Sequence, residues 1–554
     1  MHEKSILSSK NNKPESSLHQ EKPAEQVVNE AVQKKTKGGM LSSASKVGSA
    51  TMLSRVLGLV RDVIFARLIG ATEAADAFYV AFKLPNFFRR LFAEGAFNTA
   101  FVPVLSDYRK NRDETEVKKL ISKTFTALSG ALLLITIPVV VFSPAVMSVY
   151  GIGFVDEPEK FQLASEMLRI TFPYLLLISL TGFAASILNS YDRFAVPAIT
   201  PIFLNLSLIF SALIVAPYFQ EPVFALAWGV LIAGVIQLLF QLPFLARIHM
   251  LPMPVLSYKD PGVSRVFKLM IPAMFGVSVG QINLLLDTVL ATLLPGGSVS
   301  WLYYSDRLME LPLGVFGVAI ATVALPNLSR QRFSTDPQGF SNMLIWAIRM
   351  VLVVGLPAAL ALIILAEPIL TTLFQYGQMQ ASDISMASYS LMAYSLGLLA
   401  FMLIKVLATG YFAREDTKTP VKIGIIAMVA NMLLNLVFVL IFHFYWQIGH
   451  VGLALATSGS ALLNAALLYR GLRSQGHIQS LGILKGYLLQ VSTGLILMVI
   501  VLLVGNLYWT DWSNWSVWQR SLRLMALCLG GGVIYLIGLY LAGLRLKDFQ
   551  MKSA

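Results

Sequence analysis

Residues 51–109 read TMLSRVLGLVRDVIFARLIGATEAADAFYVAFKLPNFFRRLFAEGAFNTAFVPVLSDYR. A charged side chain that faces lipid at the centre of a bilayer costs about 3 kcal/mol, so charges inside an apolar helical pattern must line a protected or water-filled cavity. Cations predominate here, which indicates a membrane cavity for an anionic cargo. The charges in the pattern are Arg55, Arg61, Asp62, Arg67, Asp76, Lys83, Arg89, Arg90 and Glu94.

The composition of the whole chain is typical of a polytopic membrane protein. Of its 554 residues, 56% are hydrophobic and 13% are charged, and the mean hydropathy is +0.68. Soluble proteins have about 25% charged residues. Roughly 20 apolar residues span a bilayer as a helix, which predicts an all-α protein with about fourteen transmembrane helices after residue 40.

Charge and polarity also predict the topology. Residues 1–40 contain too few apolar side chains to form a core, so we expect a disordered tail. Lysines and arginines collect in the loops that share a side with the amino terminus, and Arg545 and Lys547 in the last tail add to them. This asymmetry predicts that both termini are cytoplasmic. The formal net charge of +13 therefore indicates topology rather than nucleic-acid binding.

Two segments repeat at a shift of 223 residues. FVPVLSDYR at 101–109 returns as ALPNLSRQR at 324–332. NSYDRFAVP at 189–197 returns as FAREDTKTP at 412–420. Parallel repeats in transporters place the substrate between two halves that rock against each other.

The repeat divides the chain into units. We predict a disordered cytoplasmic tail at 1–40, a first lobe of six helices at 41–250 and a second, pseudo-symmetric lobe of six helices at 251–478. Residues 479–554 have no counterpart in either half, so we predict two extra helices and a short tail there.

The first charged helix cannot neutralise itself. Arg55 and Asp62 are seven residues apart and share nearly one face, whereas Arg61 points about a third of a turn away. Arg89, on the next helix, has no acidic residue three or four positions ahead, and we expect it to be available to a ligand. Guanidinium groups suit a phosphate, because their forked donors bind its oxygens bidentately.

The eighth predicted span, WLYYSDRLMELPLGVFG, has the same character in the second half. Asp306, Arg307 and Glu310 share one side of the helix and predict a compact ion-paired cluster. On the second span, Arg90 and Glu94 have the spacing of a helical ion pair.

A separate polar set lies deeper in the second half. Asp287 is inside the seventh span, Asn431 and Asn435 are one turn apart on the eleventh, and Thr457 is on the twelfth. Their oxygens could hold a sodium ion, Asp287 could take a proton, or the four could form ordinary interhelical hydrogen bonds.

The sequence lacks the common signatures of an enzyme. There is no GxxxxGK[ST] phosphate loop for nucleotide hydrolysis. The six histidines lie in the tail or at span ends, and the single cysteine, Cys528, allows no disulfide within one chain. No cofactor is expected beyond sodium or proton coupling.

Several motifs resemble the MurJ (MviN) family, bacterial lipid II flippases of the MOP exporter superfamily. They are SRVLGLVRDVIFARLIG, ADAFYVAFKLPNFFRRLFAEGAFNTAFVPVL, SVSWLYYSDRLMELPLGVFGVA, LFQYG and KVLATGYFAREDTKTPVKI. The resemblance extends from about residue 41 to the end of the chain.

This resemblance implies an inner-membrane protein with a MOP/MATE-like fold of fourteen helices, whose last two border a groove for a lipid tail. The implied cargo is lipid II, the undecaprenyl-pyrophosphate-linked disaccharide-pentapeptide of cell-wall synthesis. The peptidoglycan synthesis machinery is the candidate protein partner, and a monomer is expected. Carried over by motif, the substrate-binding residues are Arg55, Arg61, Asp76, Arg89, Arg90, Glu94, Arg307 and Glu310, with Asp62, Lys83 and Asp306 supporting them.

Two other functions are weighed against a flippase. A cation-coupled multidrug exporter of the same superfamily fits poorly, because a cationic cavity repels cationic drugs. A membrane enzyme that polymerises lipid-linked sugars needs an acid and a base at the outer surface, usually on a sizeable loop, whereas the predicted outer loops are short.

Overall fold

The computed structural model of the chain describes five ranges, and no β-strand occurs within them. The predicted tail at 1–40, Glu94 and Arg332 lie outside the described residues. The described ranges are 47–91, 97–255, 260–331, 337–478 and 482–549.

The described residues of the first half contain nine α-helices. Thr72 caps the second helix by accepting a hydrogen bond from the backbone N–H of Ala75. The helices are α1 (47–68), α2 (Glu73–Arg89), α3 (Phe97–Asn111), α4 (Glu114–Val141), α5 (Ser143–Tyr150), α6 (Pro158–Thr171), α7 (Tyr174–Ser190), α8 (Ala195–Phe210) and α9 (Pro222–Arg247).

The second half repeats this arrangement and adds a hairpin. Its helices are α10 (Pro261–Thr292), α11 (Ser298–Pro312), α12 (Val318–Gln331), α13 (Pro337–Ile364), α14 (Ala366–Phe374), α15 (Ala381–Phe412), α16 (Lys418–Trp446) and α17 (Gly449–Ser474). The hairpin and tail are α18 (Gly482–Tyr508), α19 (Val517–Leu541) and α20 (Leu546–Phe549).

The internal repeat is visible in the backbone. Helix α13 has the same length as α4, 28 residues, and lies 223 positions later in the chain. Asp192 and Glu415, separated by the same shift, both adopt the left-handed conformation, with φ of 60° and 61°. Few non-glycine residues adopt this conformation, so the two loops share one backbone geometry.

Eleven helices among the described residues are long and apolar enough to cross a membrane, or twelve with α10, which bends by 54°. The all-helical membrane fold is therefore confirmed, whereas the count of fourteen stays a prediction. The two further predicted spans correspond to α1 and to α2 with α3. Helix α1 carries four charges, Arg55, Arg61, Asp62 and Arg67, and α2 has only 17 residues.

The start of α10 packs on the first lobe. Asp260 caps this helix and pairs with Lys123 of α4 at 2.8 Å, and Arg265 pairs with Asp107 of α3 at 2.7 Å. The predicted division places α10 in the second lobe, and this division stays a prediction. In the structure α10 contacts α3 and α4 as well as α16, so it touches both predicted lobes.

Candidate substrate cavity and lobe seam

A cavity of about 420 Å³ lies between α1, α8, α11 and α15. Four cations and two carboxylates line it, so positive charge is in excess. The charged lining residues are Arg55, Arg61, Asp62, Arg307, Glu310 and Lys405.

Arg61 and Asp62 form the buried centre of this cavity. The Nη2 atom of Arg61 lies 2.7 Å from Oδ1 of Asp62, and its Nη1 donates to Oδ1 of Asn205 at 3.0 Å. The Tyr303 hydroxyl of the other lobe donates to the same Asp62 oxygen at 2.8 Å. Asp62 thus pairs with its neighbour Arg61 and not with Arg55 on its own face, because the long guanidinium reaches round the helix.

Arg307 brings the second lobe to the same acid. Its Nε lies 3.6 Å from Oδ2 of Asp62, and its Nη1 lies 3.3 Å from Oε2 of Glu310. The predicted cluster is therefore present for Arg307 and Glu310. Asp306 has no ion pair within 4 Å in the described ranges, and it interacts at longer range with Lys83 of the first lobe.

Arg55 lines the cavity and makes no ion pair or hydrogen bond within the described part of the chain. Its guanidinium lies against Gly314, where an added Cβ would be 2.2 Å from Nη1. Gly314 belongs to a π-helical turn, Leu313–Gly317, that follows α11. The donors of Arg55 therefore face the cavity, and a side chain at position 314 would displace the guanidinium.

The end of α2 supplies the remaining predicted cations. Arg89 was expected to be available to a ligand, but its Nε donates to Oδ1 of Asn86 at 3.1 Å. Arg90 and Lys83 interact electrostatically with Asp306 across the lobe boundary. Whether any of these residues binds substrate stays a prediction, and so does the role of Glu94.

Asp76 lies at a different place, in the seam between the lobes. Its side chain is 2% exposed and accepts hydrogen bonds from the N–H of Gly297 at 2.7 Å, the N–H of Ser300 at 2.9 Å and the hydroxyl of Ser300 at 2.6 Å. All three donors belong to the second lobe, at the start of α11. In this conformation Asp76 joins the lobes and does not line the cavity.

Aromatic and glycine contacts extend the seam. The Tyr79 hydroxyl donates to that of Tyr304 at 3.1 Å, which in turn donates to the carbonyl of Gly70 at 3.2 Å. Gly377, in the LFQYG motif, has φ of +57°, and a Cβ there would lie 2.2 Å from the carbonyl oxygen of Arg67. The two backbones can touch only because this residue has no side chain.

The sequence analysis did not predict two residues that line the cavity, Lys405 and Asn205. Lys405 is a lone charge inside an apolar span, the same signal that identified residues 51–109. Asn205 gave a weaker signal, since polar amides within spans are commonly structural.

The structure brings the predicted ion-site residues together. Nδ2 of Asn435 donates to Oδ1 of Asp287 at 2.7 Å, and the Thr457 hydroxyl lies 3.4 Å from Oδ2 of the same carboxylate. Oδ1 of Asn435 is buried without a partner, and Asn431 is fully buried beside it. A carboxylate, amide oxygens and a hydroxyl are suitable sodium ligands. The described residues contain no group of three or more His, Cys, Asp or Glu that could hold a metal.

Comparison with known proteins identifies the family. A family model described as "Lipid II flippase MurJ" matches residues 65–522. The chain belongs to the lipid II flippase MurJ family. It is 48% identical over 523 residues to a probable lipid II flippase MurJ of Vibrio cholerae serotype O1, covering 92% of this chain and 98% of that one. It is 39% identical to the lipid II flippase MurJ of Burkholderia cenocepacia, covering 92% and 98%.

Solved structures agree with the family. A lipid II flippase MurJ in an inward closed conformation matches with a TM-score of 0.75 and 29% identity, covering 89% of this chain and 97% of that one. An inward-facing multidrug resistance MATE transporter of the MOP superfamily matches with a TM-score of 0.62, covering 78% and 98%. At 15% identity this second match shows the fold alone.

Proposed function

We propose that the chain is a lipid II flippase, which moves the undecaprenyl-pyrophosphate glycolipid from the cytoplasmic to the periplasmic leaflet by alternating access. The observation that carries this is the excess of positive charge in the cavity between the lobes. A pyrophosphate diester has one negative charge on each phosphate. The cavity of about 420 Å³ has room for that group but not for a whole disaccharide-pentapeptide.

The arginines divide the binding between them. Arg55 has unused donors and meets the first phosphate. Asp62 holds Arg61 and Arg307 until the cargo arrives. For Arg61 the reason is that a buried guanidinium without an acceptor is costly. The phosphate oxygens then replace Asp62 as acceptors, and cargo binding loosens the contact between the two lobes.

Access alternates through the seam. The Asp76, Tyr304 and Gly377 contacts seal one end of the cavity while they last. Under the topology predicted from the lysine and arginine loops, with both termini cytoplasmic, this sealed end is the periplasmic one. Rocking of the lobes breaks the seam and opens the cavity on that side.

The driving force is the membrane potential or an ion gradient. Moving one elementary charge across 100 mV involves about 2.3 kcal/mol, so the potential alone is of sufficient magnitude. The single carboxylate of Asp287, with Asn431, Asn435 and Thr457, suits one sodium ion or one proton. Either ion would neutralise the one buried negative charge of that cluster.

Growth complementation tests the assignment. Arg55→Ala, Arg61→Ala and Arg307→Ala should each fail to support a strain depleted of its own flippase, although each variant inserts into the membrane at normal levels. Arg193→Ala, an exposed loop variant, is the matched control and should complement fully. Full growth with all three cavity variants would contradict the proposal.

Product analysis separates transport from catalysis. A flippase leaves lipid II chemically unchanged, whereas an enzyme that polymerises lipid-linked sugars converts it. Recovery of intact lipid II from the opposite leaflet is the expected result. The protein should remain a monomer when lipid II binds. It should also translocate lipid II in vitro without any synthesis enzyme.

A further inference from the structure

Arg349 lies within a candidate membrane span, Gln338–Ile364, and none of the described residues forms a hydrogen bond or ion pair with it. Its Nε is buried without a hydrogen-bond acceptor, and its guanidinium makes no ion pair within 4 Å in the described ranges. Its close neighbour is the ring of Tyr487 on α18, whose centroid is 5.1 Å from the guanidinium carbon. A cation inside an apolar span is costly unless something neutralises it.

Tyr487 also lacks a hydrogen-bond partner for its polar group. Its side chain is 5% exposed, and its hydroxyl is buried without a partner. Arg349 belongs to the second lobe, and Tyr487 belongs to the carboxyl-terminal hairpin. Unsatisfied donors from two separate units therefore meet at the junction where α13 packs on α18.

A second arginine between the second lobe and the hairpin binds protein carbonyls through its Nη atoms, although its Nε, like that of Arg349, is buried without a partner. Arg520 of α19 is 7% exposed, and it donates to the carbonyls of Thr371 at 3.1 Å and Ser513 at 2.6 Å. These protein carbonyls stabilise Arg520. No carbonyl or carboxylate in the described residues does the same for Arg349.

Trp346 indicates that this junction lies near the boundary between membrane and water. One turn before Arg349, its Nε1 donates to the carbonyl of Phe549 at 3.0 Å, so α20 lies at that end of the junction. Tryptophan is enriched where membrane meets water. Asp548 of α20 is engaged by the N–H of Arg545 at 2.8 Å and forms no ion pair with Arg349. Under the proposed topology this is the cytoplasmic leaflet.

We propose that the junction between α13 and α18 binds the phosphate of a membrane phospholipid. The forked guanidinium of Arg349 matches two phosphate oxygens, and the Tyr487 hydroxyl donates to a third. The acyl chains lie along the apolar outer face of α18, where Leu489 is 73% exposed. The bound lipid ties the hairpin to the second lobe. The site is separate from the central cavity and does not depend on its cargo.

Native mass spectrometry of the delipidated full-length protein, titrated with phosphatidylglycerol, tests the site. Arg349→Met should lose one bound lipid from the high-affinity set, with an affinity about tenfold weaker, and Tyr487→Phe should weaken it by a smaller factor. Arg473→Met removes an exposed arginine from the same lobe and should bind like the wild type. Equal binding by Arg349→Met and Arg473→Met would overturn the proposal.

Competing probes identify the ligand chemistry. Phosphatidylcholine, which has the same phosphate, should compete at this site, whereas diacylglycerol and inorganic phosphate should not. Displacement by inorganic phosphate would indicate a soluble anion site, and displacement by lipid II would indicate a cargo site, and either result contradicts the assignment. If Arg349→Met does not fold, unchanged lipid binding by Tyr487→Phe is sufficient to reject it.

Discussion

Asp62 of the first lobe and Arg307 of the second lobe form an ionic contact across the cavity, with Nε of Arg307 3.6 Å from Oδ2 of Asp62. The same carboxylate also holds Arg61 at 2.7 Å. One acid therefore restrains two of the cations that the proposal assigns to the cargo. Binding of a phosphate and release of the lobes are coupled at this single side chain.

Asp62→Asn should bind lipid II more tightly and transport it more slowly. Without the negative charge of Asp62, nothing competes with the cargo phosphate for Arg61 and Arg307. Release of the cargo therefore becomes harder. We expect the Kd to fall about tenfold and the translocation rate to fall by a similar factor, because hydrogen bonds to charged groups contribute about 1.5–3 kcal/mol. Lipid II binding to the protein in nanodiscs measures the Kd, and lipid II flux in vesicles measures the translocation rate. Glu159→Gln, on an exposed surface, is the control, and weaker binding by Asp62→Asn would refute the coupling.

Ser300→Ala should open the seam. It removes one of three hydrogen bonds to Asp76, worth about 1 kcal/mol, and so shifts the population of sealed molecules about fivefold. Spin labels on Glu73→Cys and Gln378→Cys, in a Cys528→Ser background, report the distance between the lobes. The variant should populate longer distances. An unchanged distance distribution would show that Asp76 does not control the seam.

Gly377→Ala should reduce translocation at least tenfold, because its Cβ would collide with the carbonyl of Arg67 and prevent sealing. Gly476→Ala is a matched control. Gly476 also has positive φ, at 77°, but an added Cβ there meets nothing within 4 Å. It should show only the backbone cost of about 1 kcal/mol, seen as a small loss of thermal stability. Equal flux in the two variants would count against the seam.

Asp287→Asn should remove any dependence of flux on the coupling ion. The wild type should slow when sodium is replaced by choline if sodium is coupled, or when the proton gradient is collapsed if a proton is coupled. The neutral variant should respond to neither change, because it has no charge to compensate. A variant that keeps the ion response of the wild type would place the coupling site elsewhere.

The sequence was sufficient for the fold class and for most of the cavity, because lone charges in apolar spans have few places to lie. The sequence could not show that Asp76 lies in the seam and the other charges in the cavity. Asp76 accepts hydrogen bonds from the start of α11, and this contact depends on where the second lobe lies. The pairing of Asp62 with Arg61 instead of Arg55 depends on side-chain reach, which helical spacing does not describe. Lys405 is also a lone charge inside an apolar span, but it lies outside the charged segments on which the predicted site was based.

Translocation of lipid II by the purified protein in vesicles, with and without an imposed membrane potential, is the most direct measurement of the central claim. The wild type should move intact lipid II to the opposite leaflet. Arg55→Ala, Arg61→Ala and Arg307→Ala should each fall below about a tenth of that rate, because each loses a charge-assisted contact to the pyrophosphate. Rates equal to the wild type in all three variants would contradict the account.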